Sequence, residues 1–380
     1  MKYFNLLFKE KLKTSVISLL IIYISANIIN LYGDILPSNF IFFNKIFVVI
    51  IFAFFIIDLI FNKIKFLAPG IFGFYVFIAY SLILFIINDF SYYSIYYSLG
   101  IIYNYIGFLI IINLLRSKTD LKIFSFIYLL IVGLGCVIYL YNWFILGNWG
   151  ILRPSNVAVT GGNINANIVS ALMVICIMVA EYLFKDLKKK WYFILYAIYL
   201  VFLIGVFGLG SRFMSIITLI FLCISIYNKF KFKYLLFILS LLVFIIIMNS
   251  PLFMEFTADI KSINRIINSG LESERLSDLI LNFKYFLESP LFGQSIEKIF
   301  ITYDGKISHI VYLNYLVEGG LFGYFFLLIF FFSIFKKKLL KLDHVGKMFL
   351  IFWLSFYFWS PSYWIMLVPA SYVYLNNYLK

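Results

Sequence analysis

Residues 191–228 read WYFILYAIYLVFLIGVFGLGSRFMSIITLIFLCISIYN, and Arg212 is the only charged residue among them. Two apolar runs, 191–210 and 211–228, therefore meet at Gly-Ser-Arg with almost no loop between them. Each run is close to the roughly 20 residues that cross the hydrocarbon of a bilayer as a helix. The pattern predicts two membrane-spanning helices joined by a tight turn.

The composition of the whole chain is typical of a membrane protein. Hydrophobic residues make up 64%, charged residues 13%, and the mean hydropathy is +1.01. About a quarter of the residues of a soluble protein are charged, so a soluble core cannot hide this much apolar surface, whereas lipid can solvate it. The net charge of +14 comes mainly from short basic clusters between apolar runs, which indicates membrane orientation and argues against nucleic-acid binding.

The chain as a whole is expected to be all-α, a polytopic membrane helix bundle of about 11–12 transmembrane helices. Helices 1–9 are expected within residues 1–249. A long outer loop follows at 250–309, and the C-terminal helices are expected within 310–380. The final apolar region, 348–376, is interrupted by Ser360-Pro361, so the number of its crossings stays open. The other predicted spans are 14–32, 40–61, 67–88, 94–115, 121–144, 163–184, 191–210, 211–228, 232–249 and 310–335.

Counting charges loop by loop gives the orientation. With a cytoplasmic N-terminus, read as a first membrane anchor, the inner loops hold 21 of the 31 Lys and Arg residues. The short outer loops at 33–39 and 88–93 hold none, as the positive-inside rule requires. The predicted location is the cytoplasmic (inner) membrane, with any active site on the periplasmic or extracellular side.

The outer loop 250–309 has the composition of a soluble segment, and loops of that length usually have a role. Within it, Ser269-Gly270-Leu271-Glu272 has the spacing of a capping box. Apolar residues then recur at helical intervals until Pro290, which predicts an amphipathic helix near 272–288 that lies against the membrane domain, with Arg275 in its first turn. The members of this apolar stripe are Leu276, Leu279, Ile280, Phe283 and Leu287.

Four polar residues in or beside the predicted spans are candidates for a site and are weighed against structural roles. Arg212 either snorkels to the headgroups or faces a cavity. His309, where the outer loop re-enters the membrane, is either structural or catalytic. Glu318 either holds a helix interface or takes a direct role, and Gly319, Gly320 and Gly323 beside it are expected to serve close helix packing. Asn167 lies deeper than Asn163 and Asn165, which cap the sixth span, and can reach a polar cavity.

The sequence offers no convincing metal site. There is no Asp-x-Asp, and Glu272-Ser-Glu274 is the only closely spaced acidic pair in the outer loop, where helical geometry splays the two side chains. The three cysteines lie inside apolar runs without metal-ligand spacing. A diphosphate would therefore take its counter-charge from arginines, whose planar guanidinium groups suit that task. No cofactor is expected.

The order of these features resembles the Wzy-type O-antigen polymerase and O-antigen ligase family. Gly-Ser-Arg stands at 210–212, and Arg275 precedes Glu-Ser-Pro-Leu-Phe-Gly at 288–293. The run from His309 through Glu318-Gly-Gly-Leu-Phe-Gly to Gly323 is similar to the family's His-Asn-x-x-Leu-x-x-x-x-Glu-x-Gly-x-x-Gly signature, with Ile310 in place of asparagine. Asn167 occupies a position similar to that of a family asparagine. The match covers roughly 150–335.

This resemblance implies a metal-independent inverting glycosyltransferase whose donor is an undecaprenyl-diphosphate-linked oligosaccharide. Arg212 and Arg275 are then diphosphate ligands, and His309 is the general base for the acceptor hydroxyl. Fixed arginines stabilise the charge that builds on the leaving group, and histidine can accept a proton near neutral pH. Secondary substrate contacts are assigned to Arg153, Arg265, Asn167 and Glu318. A chain-length regulator is a further partner that the resemblance allows, beside the lipid bilayer.

Several functions remain open from sequence alone. The expected one is a polymerase that joins lipid-linked repeat units of O-antigen or capsule. A ligase that transfers finished glycan to lipid A core shares every motif above. A transporter or flippase for the same glycan would need charged residues at mid-span in several helices, and Asp58 and Glu318 are among very few candidates. A structural membrane subunit is the last alternative.

Overall fold

A computed structural model describes seven main parts of the chain, together with residues 76, 79, 80 and 83 and most of 316–329. Within these parts the backbone forms helices and turns and no strand, which confirms the all-α prediction for the described residues. They divide between two compact units, the first containing residues from 115 to 230 and the second the rest. The main described parts are 115, 117–145, 166–185, 191–209, 212–230, 274–294 and 342–357.

The first unit begins with a long helical stretch. Helix α1 spans Lys118–Tyr128, a π-helical segment follows at Leu129–Gly133, and α2 spans Leu134–Ile145. Ser117 caps α1, because its hydroxyl oxygen accepts a hydrogen bond from the Asp120 amide at 3.1 Å. The predicted span 121–144 is therefore helical, and its π segment was not anticipated from the sequence.

Three further helices complete the described part of this unit. Helix α3 spans Ala166–Phe184, α4 spans Tyr192–Gly208, and α5 spans Arg212–Phe230, close to the predicted ranges 163–184, 191–210 and 211–228. Helix α3 packs against all the other helices of the unit that the structure describes. Its side chains from Val169 to Ala180 are buried on every face, as expected for a helix that is apolar all round.

One helical stretch is long and apolar enough to cross a membrane. It runs over Lys118–Tyr141, 24 residues with a mean hydropathy of 2.5, among the residues that the structure describes. Shorter apolar helices lie at Val169–Phe184, Tyr192–Val206 and Met214–Lys229. The long stretch exposes an apolar stripe at intervals of three and four residues along its whole length. Its members are Ile123, Phe126, Leu130, Leu134, Val137 and Tyr141.

The second unit contains two complete described helices. Helix α6 spans Glu274–Glu288, which confirms the predicted amphipathic helix near 272–288, and α7 spans His344–Tyr357. The Asp343 carboxylate caps α7 by accepting a hydrogen bond from the Gly346 amide at 2.7 Å. The predicted domain ranges 1–249, 250–309 and 310–380 follow membrane topology and not compact packing, so they stay a prediction.

Gly320 corrects the prediction of a continuous helix over 310–335. Its φ is +61°, in the left-handed region, whereas a right-handed helix needs a φ near −60°. The hydrogen bond that would join the Leu321 amide to the Val317 carbonyl is replaced by two bonds to the turn after α6. Leu321 donates to Pro290 at 2.8 Å, and Val317 accepts from the Gln294 amide at 2.6 Å. The lack of a Cβ at Gly320 therefore lets the backbone of the turn after α6 approach closely, and the close helix packing predicted for Gly319, Gly320 and Gly323 stays a prediction.

Candidate functional site

A buried ion pair fixes the relative direction of α3 and α5. Lys229 Nζ lies 3.0 Å from Glu181 Oε1, and the Ser225 hydroxyl donates to Glu181 Oε2 at 2.8 Å. Glu181 is near the C-terminal end of α3, and Lys229 is near the C-terminal end of α5. Helix α4 runs antiparallel to both, because Tyr192 at its start lies against Lys229 and Gly205 near its end lies against Met173. Helices α3 and α5 therefore run parallel, and their N-terminal ends lie away from the ion pair.

That opposite end carries two of the predicted site residues. Asn167 is in the first turn of α3, and Arg212 is the first residue of α5. They are far apart in sequence, and the parallel arrangement places their backbones at the same end of the unit, away from Glu181 and Lys229. The inference that Asn167 and Arg212 belong to one site is compatible with this placement.

Ser170 adds a polar atom near Asn167 that the sequence analysis did not assign. It follows Asn167 by three residues on α3 and is completely buried. Its hydroxyl has no hydrogen-bond partner within the described part of the chain. A buried hydroxyl without a partner costs about 1–3 kcal/mol. The signal available in the sequence was a serine inside an otherwise apolar stretch next to a candidate asparagine.

Glu181 and Lys229 form a second polar group that sequence reasoning missed. The Glu181 side chain is fully buried, and the Lys229 ammonium also lies 4.4 Å from the centre of the Tyr192 ring. An ionisable residue inside an apolar run is itself a signal, and Glu181 falls within the predicted span 163–184. Both residues border loops that are rich in lysine and that are predicted to be cytoplasmic. This pair therefore lies at the end of the unit away from the predicted outer site.

Arg275, in the second unit, lies in the first turn of α6. Its position precedes Asn282 by two helical turns, so the two positions share one face of the helix. Asn282 is 2% exposed, and Tyr285 on the adjoining part of the same side is also buried. Lys284 is exposed on a different face. Position 275 therefore shares a helix face with Asn282 and not with Lys284.

The packed side of α6 is not the side that the sequence analysis selected. Of the predicted apolar stripe, Ile280, Phe283 and Leu287 are at least half exposed. Burial instead falls on the side of Tyr285, which clusters with Val317. The prediction that the stripe itself packs against protein is corrected for these three residues, because Tyr285 and Asn282 make the contacts within the unit.

A turn of defined geometry follows α6 and holds it in place. The Gln294 side-chain amide donates to the Tyr285 carbonyl at 2.7 Å and to the Glu288 carboxylate at 2.8 Å. The Gly293 amide donates to the Ser289 carbonyl at 2.9 Å, and Gly293 has a φ of 78° that glycine adopts readily. Glu-Ser-Pro-Leu-Phe-Gly at 288–293, first noted as a motif, is thus the segment that anchors the C-terminal end of α6.

This turn contacts the Gly-Gly-Leu-Phe-Gly motif directly. A Cβ on Gly320 would overlap the Leu291 carbonyl and approach the Gly293 nitrogen to 2.6 Å. The Phe322 amide donates to the Leu291 carbonyl at 3.2 Å, and the Phe292 and Phe322 rings stack with centres 5.3 Å apart. The two motifs that the sequence analysis read separately form one contact.

The remaining predicted site residues lie outside the part of the chain that the structure describes: His309, Arg153, Arg265 and Glu318. Arg212 and Arg275 belong to different compact units. The convergence of Arg212, Arg275 and His309 on one substrate therefore stays a prediction. Among the described residues, no three His, Cys, Asp or Glu side chains are grouped so that they could hold a metal ion.

Comparison with models of protein families finds no match, and comparisons with curated proteins and with solved structures find none either.

Proposed function

We propose that this chain is a polytopic membrane glycosyltransferase that polymerises oligosaccharide units carried on undecaprenyl diphosphate at the outer face of the cytoplasmic membrane. The observation that carries the proposal is the parallel arrangement of α3 and α5, with Asn167 and Arg212 at one end and the Glu181–Lys229 pair at the other. The lysine-rich loops follow the second end, so the first end is assigned to the outer side.

The exposed surfaces of the helices support the membrane setting. The stripe on Lys118–Tyr141 is apolar along its whole length, and α4 likewise exposes Phe193, Leu200 and Ile204. Contiguous apolar surface of this extent is rare on soluble proteins and typical of proteins that face lipid. We assign these faces to lipid, in a bundle of about 11–12 transmembrane helices.

The position of Arg212 supports binding of an anion. It is the first residue of α5, and the first turn of that helix contains no acidic residue. The N-terminus of a helix carries a partial positive charge, which disfavours a cation there in the absence of an anion. A diphosphate would be stabilised by the helix amides and the guanidinium together.

Arg275 is likewise assigned to binding of a diphosphate. It lies in the first turn of α6, and the turn after α6 fixes that helix through Gln294. A rigid support is what a charge-stabilising residue needs, since its contribution depends on being held in position before the reaction.

The proposed reaction is a single displacement. The acceptor hydroxyl attacks the anomeric carbon of the donor sugar and gives its proton to His309. A new glycosidic carbon–oxygen bond forms as the bond between the anomeric carbon and the diphosphate oxygen breaks. Undecaprenyl diphosphate leaves with the negative charge that Arg212 and Arg275 stabilise, and the configuration at the anomeric carbon inverts.

The test is turnover of a defined undecaprenyl-diphosphate oligosaccharide by the purified full chain. We expect Arg212→Ala, Arg275→Ala and His309→Ala each to lower turnover by roughly 100-fold or more, as removal of one charge-stabilising group does elsewhere. The matched controls are Lys284→Ala, on the exposed face of α6, and Lys118→Ala, exposed at the start of α1. Both should keep full turnover.

Three outcomes would overturn the proposal. Unchanged turnover in all three site variants would remove the assigned roles, and a strict requirement for a divalent cation would remove the metal-independent mechanism. Transfer to lipid A core in place of polymer growth would identify the ligase instead.

A further inference from the structure

Helix α6 exposes an apolar stripe that continues beyond the helix. Ile280, Phe283 and Leu287 are 51%, 50% and 58% exposed, and their spacing places them on one face. In the turn that follows, Leu291 and Phe292 are 52% and 60% exposed.

The same surface extends to the helical residues after Gly320. Phe292 stacks on Phe322, and Leu321, Phe322 and Phe325 are also exposed. The hydrogen bond from the Leu321 amide to the Pro290 carbonyl holds the two segments together. Eight large apolar side chains thus lie on two adjoining segments of one unit, where a soluble protein would not leave them in water.

We propose that α6 and the turn after it lie in the outer leaflet of the bilayer, with this stripe among phospholipid acyl chains. The inference rests on the membrane setting of the proposed function and adds that the outer loop contains a helix embedded in the interface. Its ligand is the lipid surface itself.

The interruption at Gly320 sets the depth of this surface. From Gly320 the apolar sequence continues to Phe335, before Lys336, Lys337 and Lys338. As a continuous helix this sequence would be roughly 24 Å long at 1.5 Å per residue, close to the thickness of the hydrocarbon. Three lysines mark the cytoplasmic end, so Gly320 falls at the outer boundary. The stacking of Phe292 on Phe322 then places the turn after α6 in the outer leaflet.

Charged residues beside the stripe fit the same position. Lys284 and Glu288 are exposed on α6 next to Ile280 and Leu287. A helix that lies in the interface keeps such groups at headgroup level while its apolar face enters the acyl region by roughly 5–10 Å. A water-soluble protein partner fits less well, because three of the eight side chains belong to a segment that the sequence assigns to a membrane span.

The test uses fluorescence quenching from within the bilayer. Phe283→Cys and Leu287→Cys are labelled with a bimane dye in the full chain, which is then placed in nanodiscs that contain brominated phospholipid. The unmodified chain, labelled in parallel, gives the background from its own cysteines. Lys284→Cys is the matched control on the same helix, and Leu134→Cys, on the exposed stripe of Lys118–Tyr141, is the reference for lipid contact.

We expect the dye at positions 283 and 287 to be quenched by brominated lipid about two-fold more strongly than at position 284, since only the stripe enters the acyl region. Quenching by aqueous iodide should show the reverse order. Equal access of iodide to positions 283, 284 and 287 would overturn the proposal, because the stripe would then face water.

Protection of positions 283 and 287 from both quenchers would also overturn it, because protein would then cover the stripe. The Leu134→Cys reference shows whether such a result refutes only the placement of α6 or the proposed membrane architecture as well. If lipid quenches position 134 and not position 283, only the placement of α6 is refuted. If lipid quenches neither position, the proposed membrane architecture falls as well.

Discussion

Glu181 in the first unit and Gly320 in the second each hold two segments together, and they do so by different means. Glu181 joins α3 to α5 through side chains, with Lys229 at 3.0 Å and Ser225 at 2.8 Å. Gly320 lets two segments meet through their backbones, where the Leu321 amide donates to Pro290 at 2.8 Å.

The difference concerns which substitutions each contact can accept. A side-chain pair can be replaced as a pair, because both charges disappear together. A backbone contact has no partner to exchange, because any Cβ at Gly320 overlaps atoms that cannot rotate away. We therefore expect the second unit to be more sensitive to a single methyl group and the first to a single charge.

The largest effect is expected for Gly320→Ala. Its left-handed φ alone costs a residue with a Cβ about 1–2 kcal/mol, and overlap with the Leu291 carbonyl raises the total to roughly 4 kcal/mol. Hydrogen–deuterium exchange of the amides at 289–294 and 321–322 is the measurement, and we expect their protection to be lost. Protection equal to that of the unmodified chain would contradict a backbone-held contact.

The next effect is expected for single breaks of the buried pair. Glu181→Leu or Lys229→Met alone leaves one buried charge and should lower stability by roughly 3 kcal/mol, whereas the double variant should recover most of the loss. A thiol-reactive dye that detects exposure of the buried Cys136 and Cys176 during heating gives the unfolding midpoint. If the fall in unfolding midpoint of the double variant equals the sum of the falls in the two single variants, the two residues do not act as a pair.

A smaller effect is expected for Gln294→Ala. It removes two hydrogen bonds, at 2.7 Å to the Tyr285 carbonyl and 2.8 Å to the Glu288 carboxylate, so we expect a loss of about 1–2 kcal/mol. Amide exchange at the end of α6 should rise, while exchange in α3 stays unchanged. Gln294→Glu should be no better, because a carboxylate cannot donate to Glu288. Unchanged exchange at 285–294 in both variants would show that the side chain does not hold the turn.

The smallest effect is expected for Gly205→Ala in the first unit. Its Cβ would lie 2.6 Å from Leu140 Cδ1 and 3.0 Å from Met173 Sδ, and both are ends of flexible side chains, so about 1 kcal/mol is expected. Gly133→Ala is the matched control, because its nearest neighbour, Leu129 Cδ1, lies at 3.4 Å, an ordinary contact. The dye assay should show a small fall in midpoint for the first variant and none for the second. If Gly205→Ala lowered stability as much as Gly320→Ala, the two units would not differ in their sensitivity to an added methyl group.

The helices that the sequence predicted best are those whose signal is local. Apolar runs and helical spacing located α3, α4, α5 and α6 to within a few residues. The arginine positions followed from the same boundaries, since Arg212 begins α5 and Arg275 lies in the first turn of α6.

The predictions that needed correction depend on distant residues. The apolar stripe of α6 was assigned to packing, yet Val317 and Gln294 select the side with Tyr285. Gly320 was expected to have regular helical geometry, because nothing near it in sequence indicates that Leu291 lies against it. The Glu181–Lys229 pair was missed because its partners stand on different helices.

The sequence by itself determined that the described residues are helical, where most of the helices begin and end, and how basic residues are distributed between the loops. These properties arise from interactions within a few residues, so periodicity and charge counts are sufficient to read them. Only the tertiary structure decided which face of α6 is buried, that the helical run is interrupted at Gly320, and that α3 and α5 run parallel. Those features depend on hydrogen bonds and an ion pair between residues far apart in the chain, and no local pattern encodes them.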